Sequence, residues 1–213
     1  PFESIVIKES LAGQELELLN NVGLSKNLVL ICDETTHNVL GKRIENAFSA
    51  SGEMDVMVLD YPHADLSYVE ELRPKLKSYD GVIACGSGTV NDICKHSTML
   101  NGQRYAEFAT SGSMNGYTSG TASMRLDSGL KISLPSHAPA GLFVDLEVSA
   151  RAPAYLAASG FGDCLCRSVA QVDWWLSHRL LGTLYLQSPY IIQEKDEPEL
   201  NSRAGKLPMG DIE

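Results

Sequence analysis

The stretch Gly81-Val-Ile-Ala-Cys-Gly86-Ser87-Gly88-Thr89-Val90-Asn91-Asp92-Ile-Cys-Lys95 carries the densest chemistry in the chain. Its apolar run, Gly81 to Cys85, reads as a buried strand that passes through Gly-Ser-Gly-Thr into an amphipathic helix start. Two glycines let the backbone turn tightly and let a ligand approach the main chain closely. The free N–H groups of a helix start then seat an anion. Together these features read as a pyrophosphate cradle for a dinucleotide. The stretch departs from the G-x-G-x-x-G pattern, because Asn91 stands where the third glycine would be, and no Gly-Lys-Ser/Thr follows as in a phosphate loop. The alternative is a strand-to-helix turn that binds nothing. Asp92 and Lys95 fall in the first helical turns, where the plain reading makes them solvated surface residues, Lys95 in particular.

The elements that would position this turn can be read on either side of it. Residues 28–32 form an apolar strand ending at Asp33, with Thr35 or Thr36 as a cap for a helix whose face is Val39, Leu40, Ile44 and Ala47. Met54 to Leu59 reads as a second strand, Leu66 to Leu76 as a second helix, and Thr89 to Leu100 as the third helix. Three strand–helix alternations predict a parallel sheet covered by helices. Ligands of such sheets lie beyond the carboxyl ends of the strands, where Asp33 and the Gly86 turn both fall. Thr110 to Ser123 is crowded with small and polar residues and reads as a long loop. Leu130 to Leu134 and Gly141 to Val144 read as shorter strands.

Beyond Pro153, which suits a first helical position, the chain turns helical. Leu165, Val169, Val172, Leu176 and Leu180 form a stripe ending near Gly182. Ser188 to Arg203 reads as an exposed connection. Asp211 reads as a helix N-cap, so the sequence stops where a helix would begin and looks cut.

A formal charge of −10 argues against nucleic-acid or anionic-membrane partners. No apolar run approaches the ~20 residues of a membrane span, and Pro1-Phe-Glu-Ser lacks a secretory signal's features. The 5 cysteines show no disulfide-like framework, so reduced thiols and a cytoplasmic location are expected. Cys164 and Cys166, at i and i+2 on a helix, point to different faces. The histidines show no pairing at i, i+4, and Gly112-Ser113 lacks the Gly-x-Ser-x-Gly spacing of a hydrolase.

Three stretches, in order, resemble one family: Gly86-Ser-Gly-Thr-Val-Asn-Asp92-Ile-Cys-Lys95, Thr110-Ser-Gly-Ser113-Met-Asn115-Gly-Tyr117-Thr-Ser119, and Ala158-Ser-Gly160-Phe-Gly162-Asp163. With Asp173-Trp174, they make the chain similar to sn-glycerol-1-phosphate dehydrogenases, within the iron-containing alcohol dehydrogenase and dehydroquinate synthase-like superfamily. The resemblance implies an α/β fold: a Rossmann-like, parallel-sheet NAD(P)-binding domain over 1–150, then the start of an all-helical, divalent-metal domain over 151–213. Carried across, Gly86, Ser87, Gly88, Thr89 and Val90 would form the pyrophosphate turn. Asp33 would meet the adenosine ribose, Thr110 and Ser113 the nicotinamide side, and Ser119 a further part of the cofactor. Asp163 would be a metal ligand and substrate contact. A carboxylate at a strand end accepts a ribose hydroxyl and disfavours a 2′-phosphate, so NAD is preferred mildly over NADP. Gly160 and Gly162 would let the backbone kink just before a helix starting at Asp163, which aims its carboxylate into a cleft; the alternative is that Asp163 merely caps that helix. The metal, whether zinc, iron or nickel, would act as a Lewis acid on the alcohol oxygen.

Two departures stand against the family pattern. Asn115 replaces an Asp that contacts the polyol hydroxyls, keeping size but losing charge. The family's two later histidine ligands have no match: His178, the one histidine after Asp163, would lie roughly 22 Å from it on a straight helix. The leading expectation is an NAD(P)-dependent, metal-assisted dehydrogenase of a polyol or polyol phosphate, forming a homo-oligomer through its exposed helical stripe. One alternative is a dehydroquinate synthase-like lyase, for which Lys95 and Arg104 supply few of the basic residues needed. Another is a nucleotide-binding module without catalysis.

Overall fold

The computed structural model describes residues 3–50 and 52–210; the cap expected at Asp211 lies outside them. Leu28, Leu30 and Cys32 alternate with Val29 and Ile31, and both sets are buried. A strand apolar on both faces needs cover on both sides, and a parallel sheet with helices front and back supplies it.

In chain order the first elements are β1 (Ser4–Lys8), α1 (Glu15–Asn21), β2 (Leu28–Asp33) and α2 (Glu34–Thr36). A π-helical turn, His37–Gly41, leads into α3 (Lys42–Phe48), β3 (Met54–Leu59) and α4 (Leu66–Leu76). Next come β4 (Gly81–Gly86), α5 (Gly88–Asn101) and β5 (Arg104–Ala109), then a hairpin of β6 (Thr121–Arg125) and β7 (Lys131–Pro135). The chain continues with β8 (Gly141–Asp145), α6 (Leu146–Ala150), α7 (Ala154–Leu181), α8 (Ser188–Glu194), α9 (Glu197–Arg203) and a 3-10 turn at Leu207–Met209.

Six strands form a wholly parallel sheet in the order β1-β8-β5-β4-β2-β3. Phe108, Phe143, Ile83 and Cys85 pack on one face with Leu19, Ile44 and Phe48. Val82, Ala84 and Tyr105 pack on the other with Leu72, Val90 and Ile93. The parallel α/β architecture expected from the sequence holds, with β2, β3, β4 and α4 where the apolar runs place them.

Several expectations need correction. The sheet has six strands, with β1 and β5 added to those read from the apolar runs. Asp33, and neither Thr35 nor Thr36, caps the first helix, in a capping box with Thr36. Val39 is exposed while Leu40 and Ile44 are buried. Thr121–Arg125 is a strand, not loop, because it pairs antiparallel with Lys131–Pro135. Pro153 is the cap before α7 and not its first residue. Residues 188–203 are mostly helical, forming α8 and α9. No helix among the described residues is long and apolar enough to cross a membrane.

Candidate active site

Gly86 ends β4, and a Cβ there would lie 2.6 Å from the Cβ of Val90. The strand can fold back over the first turn of α5 only because residue 86 has no side chain. Ser87 follows in extended conformation and makes no side-chain capping bond, so the first amides of α5, at Gly88 and Thr89, have no cap of their own. A Cβ at Gly88 would come within 3.3 Å of the Met114 sulfur, so this helix start also faces the loop after β5. Asn91, in place of a third glycine, is wholly buried; its Nδ2 donates to Asp92 Oδ1 at 3.0 Å.

That loop, residues 110–120, is bound to the glycine turn at its root: the Thr110 N–H donates to Gly86 O at 2.9 Å. Tyr117 Oη donates to Ser111 O at 2.8 Å. The far end is gathered by Lys95, whose Nζ donates to Gly116 O, Ser119 Oγ and Thr121 O at 2.8, 3.2 and 3.3 Å. Lys95 is therefore no surface residue. It has no exposed area, because the loop and β6 close over α5. Burial pulls its pKa below the ordinary lysine value, against the pull of Asp92 and Glu107.

Asp163 sits inside α7, which runs unbroken from Ala154 to Leu181. The expected kink at Gly160 and Gly162 is absent, and Asp163 caps nothing. Gly160 serves a different purpose: a Cβ there would lie 1.8 Å from Gly112 O, so the glycine lets α7 press against the loop backbone. The result is a direct contact. The Asn115 N–H donates to Asp163 Oδ2 at 2.8 Å, and Asn115 Nδ2 donates to Asp163 O at 3.3 Å. The second carboxylate oxygen, Oδ1, has no hydrogen bond among the described residues.

These elements enclose a cleft of about 590 Å³. Of the residues singled out from the sequence, it brings together Gly88, Thr89, Ser113, Asn115, Ser119 and Asp163. Gly86, Ser87, Val90, Thr110 and Asp33 do not line it. Gly86 and Thr110 brace its base through their mutual bond, and Val90 packs in the core beneath. Asp33 accepts from Thr36 N and Thr36 Oγ1 through Oδ1, which is the plain turn-closing role, and leaves Oδ2 without a partner among the described residues.

The hairpin supplies wall residues that the sequence reading missed: Thr121, Ser123, Lys131 and Ser133. Asp127-Ser-Gly129 between two alternating segments was the available signal; Gly129 has φ +84°. Asp92 also faces the cleft. Burial raises its pKa, although the Ser123 N–H, 3.0 Å away, along with Lys95 and Asn91, acts to lower it.

Among the described residues no group of three His, Cys, Asp or Glu side chains could hold a metal ion. His178 Nδ1 is engaged with Thr183 O at 2.6 Å. The donors at hand do not by themselves fit a divalent metal: Asp163 offers one uncommitted oxygen.

A family model described as iron-containing alcohol dehydrogenase matches residues 6–153. The chain is 30% identical over 190 residues to glycerol-1-phosphate dehydrogenase [NAD(P)+] of Bacillus subtilis, a match covering 86% of this chain and 48% of that protein. Against the enzyme of the same name from Thermococcus kodakarensis the identity is 29% over 183 residues, covering 85% and 52%. The chain thus spans about half the length of the curated relatives it matches. Among solved structures, glycerol dehydrogenase from Schizosaccharomyces pombe superposes with a TM-score of 0.79 at 20% identity, over 95% of this chain and 52% of that one. An iron-containing alcohol dehydrogenase from Thermotoga maritima gives 0.78 at 14% identity, over 99% and 62%. At such identities the structures speak to the fold alone.

Proposed function

The chain belongs to the iron-containing alcohol dehydrogenase family, and from that premise we propose that the whole protein is an NAD(P)-dependent dehydrogenase of a polyol or polyol phosphate. The observation that carries the reading is the cleft itself. It joins the uncapped start of α5 to the loop bearing Ser113, Asn115 and Ser119, and closes on Asp163 of α7. Its relatives named glycerol-1-phosphate dehydrogenase support the substrate class.

In this reading the amides of Gly88 and Thr89 receive the pyrophosphate, with Gly86, Ser87 and Val90 shaping the turn. Asp33, with Oδ2 free, takes the adenosine ribose, and Thr110, Ser113 and Ser119 border the nicotinamide end. Bound NAD(P) supplies a hydride acceptor for the carbinol carbon. Asn115 and Asp163 hold the alcohol at the opposite wall, Asn115 offering a neutral amide where a carboxylate would bring charge. A divalent metal, as the family's name suggests, would need ligands beyond Asp163. Homo-oligomer formation is part of the same proposal.

The test supplies the purified whole protein with NAD⁺ or NADP⁺, glycerol 1-phosphate or glycerol, and zinc, iron or nickel in turn. NADH or NADPH formation with one of these pairs is the expected result. Cofactor binding without any net reduction would leave a nucleotide-binding module, a reading favoured by the lack of further metal-ligating side chains beside Asp163 among the described residues. Substrate turnover without net reduction would point to a lyase.

A further inference from the structure

Lys95 is completely buried, yet lysine is among the side chains least often buried. Its three acceptors come from the second half of the loop and the first residue of β6: Gly116 O, Ser119 Oγ and Thr121 O. We propose that Lys95 is a positioning residue for the cofactor cleft: its ammonium gathers Gly116, Ser119 and Thr121, and so holds the Ser113–Ser119 wall against the start of α5. The inference rests on the nucleotide-binding reading above and adds a residue to it.

The count of donors and acceptors carries the argument. An ammonium has three N–H groups for three oxygens, whereas a neutral amine has two and would turn a lone pair toward the third. Ser119 Oγ also lies 2.9 Å from Gly116 O and 2.8 Å from Thr121 O, but one hydroxyl proton serves only one of them at a time. The charged and titratable groups facing Lys95 are Asp92 on α5, Glu107 on β5 and His137 between β7 and β8. None is a hydrogen-bond partner of Nζ. Glu107 is itself wholly buried, and burial raises its pKa well above the carboxylate range. Burial therefore outweighs the distant carboxylates, and the lysine's pKa falls.

A buried charge of this kind costs stability. Because the unfolded chain binds the proton more tightly, folding is favoured further as pH rises through the lowered pKa. Loosening of the loop at that pH is then separable from unfolding.

The experiment compares the full chain with Lys95→Met, an apolar side chain of similar length. Three readouts are taken: thermal denaturation, hydrogen exchange of the Asn115–Thr121 amides, and NAD⁺ affinity from pH 7 to about 10.5, the ordinary lysine value. The melting temperature should hold or rise. The loop amides should exchange about tenfold faster and NAD⁺ bind about tenfold more weakly, as the competent fraction falls. Wild-type affinity should decline on the alkaline side while the variant's stays flat. Unchanged exchange and affinity in the variant would overturn the proposal. If Lys95→Met fails to fold, the wild-type profile decides: affinity constant to pH 10.5 refutes the role. If the wild type binds neither NAD⁺ nor NADP⁺, the functional reading fails, and the exchange rates still judge Lys95.

Discussion

A methyl group added at residue 160 would have to displace either α7 or the backbone of Gly112, since its carbon would lie 1.8 Å from a carbonyl oxygen. Gly160→Ala should therefore cost about 1–3 kcal/mol as overpacking and separate Asp163 from Asn115. Denaturant unfolding reads the first effect, and faster exchange of the Asn115 amide reads the second; unchanged exchange would place the strain elsewhere. Glycine was legible in the sequence as a marker of special geometry, but its use was not. At Gly86 it serves a turn, as read. At Gly160 it serves helix–loop contact and not a kink, because a glycine inside a long helix costs only about 1 kcal/mol. Lys95 could not be placed from helical spacing at all. What covers it is the loop after β5 and the start of β6, closing over the helix from residues 21 to 26 positions later, a contact that local pattern does not encode.

At the scale of elements, β2, β3 and β4 could be read because each is an unbroken apolar run. β5 could not, because Glu107 interrupts Tyr105, Ala106 and Phe108 with a residue type that normally signals solvent. β1 was hidden for another reason: it is the sheet edge, and Ile5 and Ile7 remain exposed there. The junction of β2 with α2 offers a test that separates structure from recognition. Asp33→Ala removes the capping box and should cost about 1 kcal/mol, seen as a lower urea midpoint. Asp33→Asn caps about equally well but carries no charge. It should leave the midpoint within about 0.5 kcal/mol while shifting preference from NAD⁺ toward NADP⁺. If both variants keep the wild-type cofactor ratio, Asp33 is a cap and nothing more.

The molecule as a whole divides its apolar surface unevenly. The sheet is covered on both faces, whereas Gly160 is the only buried residue of α7. Val169, Val172 and Leu180 are 64%, 61% and 72% exposed. The stripe was legible as helical periodicity, and it stays largely exposed although Val172 shares a groove with Tyr190 of α8 and the 3-10 turn packs on another part of α7. The 213-residue chain should accordingly associate in solution, with light scattering giving a mass above the monomer's; a monodisperse monomer would contradict this. With Gly160 pressed against the Gly112 backbone, α7 also has the proportions of a lever. Gly160 is the fulcrum, Leu181 lies about 31 Å beyond it, and Asp163 about 4.5 Å. A swing of about 5° moves the tip by about 2.7 Å but the carboxylate by about 0.4 Å. Whatever pushes on the far end reaches the cleft reduced about sevenfold, so the short arm insulates the site mechanically.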